Sequence, residues 1–202
     1  VALEGIDGSG KTTQARRLAA ALGARFTFEP GDTALGAALR PLVLDPGGPE
    51  RGPRAEALLL LADRAQHADE VLRPALAAGR WVVTDRYSAS TLAYQGHGRG
   101  LDPGALAPVV AWAEGGLVPD LSVLLRVPVD QARARLSAAA PDRLEGLDED
   151  FHRRVAQGFE ALAAAEPARW AVVEGTGAPD EVADRVARAV AERLGRPGGT
   201  GP

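Results

Sequence analysis

The chain has 202 residues, 46% hydrophobic and 25% charged, with a formal net charge of −4 and a pI near 5.5. That size and balance suit one compact domain and argue against a nucleic-acid-coating surface, while leaving room for a local basic pocket for a small anion. Cysteine is absent, which excludes a disulfide framework, a thiolate metal site and a cysteine nucleophile, and fits a cytoplasmic location.

The longest apolar runs, such as ALLLLA, are too short to span a membrane, and no signal-peptide pattern is visible, so no membrane partner is expected. Methionine is also absent, so Val1 is not expected to be the native start, and a fused upstream domain stays open as an alternative.

In chain order, Val1 to Glu4 reads as a short buried strand running into the glycine loop GIDGSGKTT. Lys11 to Leu22 has good helix formers with Gly23 as a stop, and RFTF (Arg25 to Phe28) is a second strand ended by EPGD. TALGAALRPLVL is helical with a kink or break expected at Pro41, and DPGGPERGP (Asp45 to Pro53) is a flexible loop. Arg54 to Ala78 reads as one long helix whose Leu58 to Leu61 would point all around it, which suggests a helix-packed dimer interface or complete burial inside the domain.

WVVT (Trp81 to Thr84) has the apolar character of a parallel-sheet core. Helix follows from Pro103 to Glu114, strand from Leu121 to Val127, and helix from Pro128 to Leu136. SAAAPDRLEG is expected to be a mobile loop. Asp148 to Ala165 is helical, WAVVEG is the last strand and Asp180 to Leu194 the last helix. The alternation implies an α/β fold, a five-stranded parallel sheet flanked by helices, as one domain over 1–195 with a disordered tail over 196–202.

GIDGSGKT fits G-x-x-x-x-G-K-[ST], with strand before it and helix after it. Glycines let the backbone wrap a phosphate, amides point inward, and the helix N-terminus adds positive potential. The loop residues Gly5, Ile6, Asp7, Gly8, Ser9, Gly10, Lys11, Thr12 and Thr13 are therefore expected to bind a nucleoside triphosphate, which is ATP if the chain is a kinase. Lys11 would reach the β- and γ-phosphates, and the Thr12 hydroxyl would ligate Mg²⁺. No N-K-x-D guanine-reading motif is present and the chain is short for a motor module, which leaves a small-molecule kinase of the P-loop NTPase fold with an acceptor pocket and a lid.

Ligands sit at the carboxyl ends of strands in such folds. There, DRYSASTLAYQG offers Asp85, which can hold Mg²⁺ through water, and Arg86, whose planar fork can clamp a second phosphate. LRPL presents Arg40 and LADRAQ presents Arg64. His67, His97 and His152 lack a catalytic partner in sequence and read as surface or packing residues.

The segments ALEGIDGSGKTTQ, EPGDTALGAALR, DRYSASTLAYQG, GGLVPDLSVLLRV and DRLE together resemble the thymidylate kinase family, in its order and spacing and over nearly the whole chain. The resemblance implies γ-phosphoryl transfer from ATP to dTMP with Mg²⁺, usually by a homodimer. It implies that Asp7 contacts the acceptor sugar's 3′-hydroxyl and that Arg40 and Arg86 hold the acceptor phosphate. Arg64 would hydrogen-bond the thymine carbonyl, Thr91 would face the base N3 edge, and Ser90 would join the acceptor pocket. Tyr94 would pack on the deoxyribose and disfavour a 2′-hydroxyl. A lid over about 137–146 would bring Arg143 to the donor nucleotide. Lys11, Arg86, Asp7 and Arg143 would then carry the catalysis.

Several letters depart from that pattern. Gly8 stands where some relatives place an arginine, so the catalytic cation would have to come from the lid region, from Arg133, Arg135 or, ranked first, Arg143. Phe28 and Asp32 replace an arginine and a glycine. Leu60 stands where a phenylalanine commonly stacks on thymine, at a cost of about 1 kcal/mol. Arg126 replaces a usual aspartate. Two rivals stay open: a kinase for another nucleoside monophosphate or a deoxynucleoside, and a non-catalytic ATP-binding module of a larger polypeptide.

Overall fold

The computed structural model describes residues 1–136 and 141–195. Strands β1 (Ala2–Glu4), β2 (Arg25–Phe28), β3 (Val82–Asp85), β4 (Ser122–Arg126) and β5 (Trp170–Glu174) form one all-parallel sheet, in the order β2-β3-β1-β4-β5. The helices are α1 (Lys11–Leu22), α2 (Ala34–Leu44), α3 (Pro53–His67), α4 (Arg73–Ala77), α5 (Ser88–Thr91), α6 (Pro103–Ala113), α7 (Val129–Leu136), α8 (Glu149–Ala165) and α9 (Pro179–Leu194). The α/β sandwich expected from the alternating pattern is present, and β1 lies at its centre.

Side chains alternate across the strands, so neighbouring apolar residues enter opposite cores. Val123 and Leu125 join Leu3 and Val83 against α1 and α9. Leu124, between them, faces the other side with Tyr94, Phe151 and Phe159. This two-sided burial is why the strands read as apolar runs.

Two helical expectations change, and a third segment, which carried none, is helical. α2 runs through Pro41 to Leu44 without a break, and the Asp45 N–H donates to Pro41 O at 3.0 Å. The carbonyl that loses its donor belongs to exposed Ala37, where water can serve it. The long helix expected over 54–78 is continuous but widens into a π turn at Ala68–Leu72. Pro74 explains it: its ring crowds the carbonyl four residues back and it has no N–H to donate. Finally, the segment after Arg86 is helical, passing from α5 into a second π stretch, Leu92–Gly98.

That second π stretch lies directly against α8, and the contact requires glycine on both sides. A Cβ on Gly98 would fall 2.6 Å from the Phe151 ring, and one on Gly158 would fall 2.7 Å from His97. The close approach seats Tyr94 edge-on between Phe151 and Phe159, both centroids 6.1 Å away. His152 is buried and His97 packs on Gly158, in keeping with packing roles, whereas His67 is buried against polar partners, Glu29 and Thr27. On α3, Leu61 is buried, Leu59 and Leu60 are half-buried, and Leu58 is exposed. The expected lid lies partly, and the expected tail wholly, outside the described residues.

Candidate active site

β1 ends at Glu4 and the chain enters the loop at Gly5, with φ values of 141°, 79° and 91° at Gly5, Gly8 and Gly10. Only glycine adopts such angles without strain. The first helical hydrogen bond of α1 runs from Gln14 N–H to Gly10 O at 3.1 Å. The amides of Lys11, Thr12 and Thr13 therefore precede the ladder and open onto the loop. Lys11 is buried and donates to Ile6 O at 2.9 Å, with Asp7 Oδ1 3.9 Å away. Burial, followed by repulsion from Arg86, pushes its ammonium down to about 8.

A cavity of about 590 Å³ runs from this loop to the residues expected to hold the acceptor. Arg86, in the left-handed region at φ 73°, donates to the Asp7 carboxylate, to Ser90 Oγ at 3.0 Å and to Tyr94 Oη at 3.2 Å. The Tyr94 hydroxyl donates to Asp7 Oδ2 at 2.7 Å and accepts the Asp7 N–H at 3.1 Å. Burial works against the charge on Asp7, but Arg86 and Lys11 outweigh it and hold the carboxyl below its usual range.

Arg64 is buried, donating to Glu29 Oε2 at 2.9 Å, Thr91 Oγ1 at 2.8 Å and Tyr87 O at 2.9 Å. Arg40, Leu60, Ser90 and Thr91 also line the cavity, and Arg40 donates to Pro30 O at 2.5 Å.

Behind Arg64 lies a second polar layer that sequence reasoning did not find. Glu29 Oε1 meets His67 Nδ1 at 2.8 Å, and His67 Nε2 meets Thr27 Oγ1 at 2.5 Å. The Thr27 hydroxyl donates to Asp32 Oδ2 at 2.5 Å, so the unusual Asp32 caps this chain of contacts. Asp63 accepts the Gly31 N–H at 2.9 Å, and burial with the nearby Glu29 charge pushes its carboxyl up to about 6. Charged letters inside apolar stretches, Asp63 in LLLLADRAQ for one, were the available signal.

Asp85 accepts the Thr12 hydroxyl on Oδ2, while Asp85 Oδ1 is buried with no hydrogen-bond partner among the described residues. A hard divalent cation that keeps several waters and shares phosphate oxygens needs only one or two protein oxygens, so this pair fits Mg²⁺.

The cations near the loop are distributed differently from the expected ranking. Arg143 does not line the cavity: it donates to Asp45 O at 3.2 Å and Pro46 O at 3.3 Å and also reaches Gly48 O. Its neighbours Asp142, Leu144 and Glu145 face the cavity instead. Arg135 of α7 lines it, 3.3 Å from Gly8 O and from Gly175 O. Gly8 has no room for a side chain, since a Cβ there would fall 2.0 Å from Ala132 O. Arg126 finds its account in the sheet: it stands opposite Glu174 of β5, 4.0 Å apart.

A phosphate-cradling loop and an arginine-walled acceptor chamber sharing one cavity on a parallel sheet define a P-loop nucleoside monophosphate kinase. Residues 3–186 match the family model Thymidylate kinase, and the chain belongs to that family. It is 48% identical over 201 residues to the thymidylate kinase of Cutibacterium acnes, covering 97% of this chain and 98% of that one. The thymidylate kinases of Solidesulfovibrio magneticus (49% over 199 residues; 92% and 95% covered) and Deinococcus radiodurans (49% over 201 residues; 96% of each covered) are similarly close.

Proposed function

We propose that the chain transfers the γ-phosphoryl of ATP to dTMP, giving dTDP. The observation that carries this reading is the knot of Asp7, Arg86 and Tyr94, which joins the donor loop directly to the acceptor chamber. The loop amides and Lys11 grip the donor phosphates, and Arg86 with Arg40 grips the acceptor phosphate, setting the two anionic groups in line. The acceptor oxygen is already anionic, so no general base is needed. Thr12 and Asp85 would hold Mg²⁺, which when bound offsets charge on the donor phosphates.

Asp7 and Tyr94 serve the deoxyribose, Arg64 and Thr91 the base edge, Leu60 the base face and Ser90 the chamber wall beside Arg86. Among the lid-region arginines, we place Arg135 ahead of Arg143 as the cation at the transferring group, because Arg135 stands at Gly8. Arg143 becomes the residue that fastens the segment after the lid to 45–48.

A homodimer is supported by apolar side chains on the outer side of α3 and α6, where Leu58 is 60% and Trp112 82% exposed. No helix among the described residues is long and apolar enough to cross a membrane, and the reading places the enzyme in the cytoplasm. With ATP and Mg²⁺, purified protein is expected to phosphorylate dTMP faster than dUMP, UMP, CMP, AMP or GMP. A clear preference for another of these would overturn the assignment.

A further inference from the structure

Glu4 is the last residue of the central strand and fully buried, and its two carboxyl oxygens meet an amide and a hydroxyl. Its Oε1 accepts the Tyr87 N–H at 2.9 Å and its Oε2 accepts the Ser90 hydroxyl at 2.6 Å. An acid is an expensive occupant for such a position, where an apolar β-branched residue would suit the sheet. Burial pushes its carboxyl up to about 7, against the pull of the Ser90 hydrogen bond and the Arg86 charge.

Two features of the surroundings say what the carboxylate does. The first is backbone. Arg86 sits at φ 73°, which is unfavourable for any residue with a side chain, and the turn is fastened on three sides. Arg86 N–H donates to Leu3 O at 3.0 Å, Arg86 O accepts the Thr84 hydroxyl at 2.8 Å, and Glu4 takes the next amide, that of Tyr87. The second is a proton count. Ser90 has one hydroxyl proton, and Glu4 in its ionised form takes it, so the serine can offer only its lone pairs to Arg86 Nη1 at 3.0 Å.

We infer that Glu4 is a positioning residue of the acceptor site, acting through the Tyr87 amide and the Ser90 hydroxyl to hold Arg86 in its working orientation. It touches neither substrate. The inference rests on Arg86 being the acceptor-phosphate clamp, and Arg86→Ala tests that premise in the same experiment.

Steady-state kinetics with dTMP and with ATP are measured for the wild type, Arg86→Ala, Glu4→Gln, Ser90→Ala and the Glu4→Gln/Ser90→Ala double variant. Glutamine keeps the shape and can still accept the Tyr87 N–H, but it turns an amide donor toward Ser90, which then meets two donors. Glu4→Gln should lower kcat/KM for dTMP by about 10- to 100-fold, chiefly through KM, with KM for ATP within about twofold. Ser90→Ala should lose a similar factor, and the double variant should be no worse than the poorer single one.

Unchanged dTMP kinetics in Glu4→Gln, equal losses for ATP and dTMP, or multiplicative effects in the double variant would each overturn the inference. If Glu4→Gln fails to fold, Ser90→Ala decides alone: undisturbed dTMP kinetics there rejects the link. If Arg86→Ala leaves KM for dTMP unmoved, the premise has failed; if it raises KM while Glu4→Gln does not, only the role of Glu4 has.

Discussion

The donor loop is one uninterrupted stretch, Gly5 to Thr13, whose working groups are largely backbone amides. The proposed acceptor wall combines Asp7 of that loop with side chains of distant stretches, Arg40, Arg64, Arg86 and Tyr94, all lining one cavity. Backbone donors at the mouth of a helix are oriented by the fold itself and need little behind them. Side-chain forks have rotamer freedom to lose, and this chain removes it with a buried layer: Glu29 and His67 behind Arg64, Glu4 and Ser90 behind Arg86. A phosphate grip can be local, whereas recognition of a particular acceptor requires support from the core.

Lys11→Ala attacks the donor side where it depends on a single side chain. It should cost about 10³-fold in kcat, with the circular dichroism spectrum unchanged; near-normal turnover would mean the amides suffice alone. Arg86→Lys tests the acceptor side by keeping the charge and removing the fork. It should cost about 10²-fold in kcat/KM for dTMP while KM for ATP stays within about twofold, and a mere point-charge role would show as a loss of only a few-fold.

Arg135→Ala should lower kcat by about tenfold or more, whereas Arg143→Ala should lower it less, since its guanidinium is engaged with 45–48. Reversal of that order would return Arg143 to the donor site. The smallest effect is graded. With its ammonium near 8 in the free protein, Lys11 loses its proton as pH rises through that value. ATP favours the protonated form, so KM for ATP should begin to climb above about pH 8, by at most about tenfold per unit, while KM for dTMP climbs less.

The same contrast explains what could be read from the letters alone. GIDGSGKTT carries its chemistry in consecutive residues, and the strand–helix alternation around it fixes where the loop must sit, so both the sheet and the donor side were legible. Arg86 was legible as a phosphate clamp at a strand end, with Arg40 and Arg64 as candidates beside it, but Tyr94 and the division of roles among the four rest on the family resemblance, because nothing in their spacing brings them together. Glu4 went unnoticed as the end of an apolar strand, although a carboxylate between two parallel neighbours was itself a signal. That Arg135 lines the cavity while Arg143 turns to 45–48 was not legible, because a helix and a loop aim arginines in ways that sequence order does not show. The π turns were hidden too, one following from Pro74 and the other from tertiary contact between Gly98 and Gly158 and their neighbours.

The buried Glu4 also sets a tilt in the protein's thermodynamics. Its carboxyl titrates about 7 in the folded chain and near the ordinary 4.5 when unfolded, so between those values the native state holds the extra proton. Stability from this group is therefore fully present below about pH 4.5 and is lost as pH rises through about 7, by up to about 3 kcal/mol. Glu4→Gln, which cannot ionise, should lack that slope and melt at least as high as the wild type at pH 8. The molecule would then be sturdier and slower at once, which makes its central strand a place where rigidity has been traded for turnover.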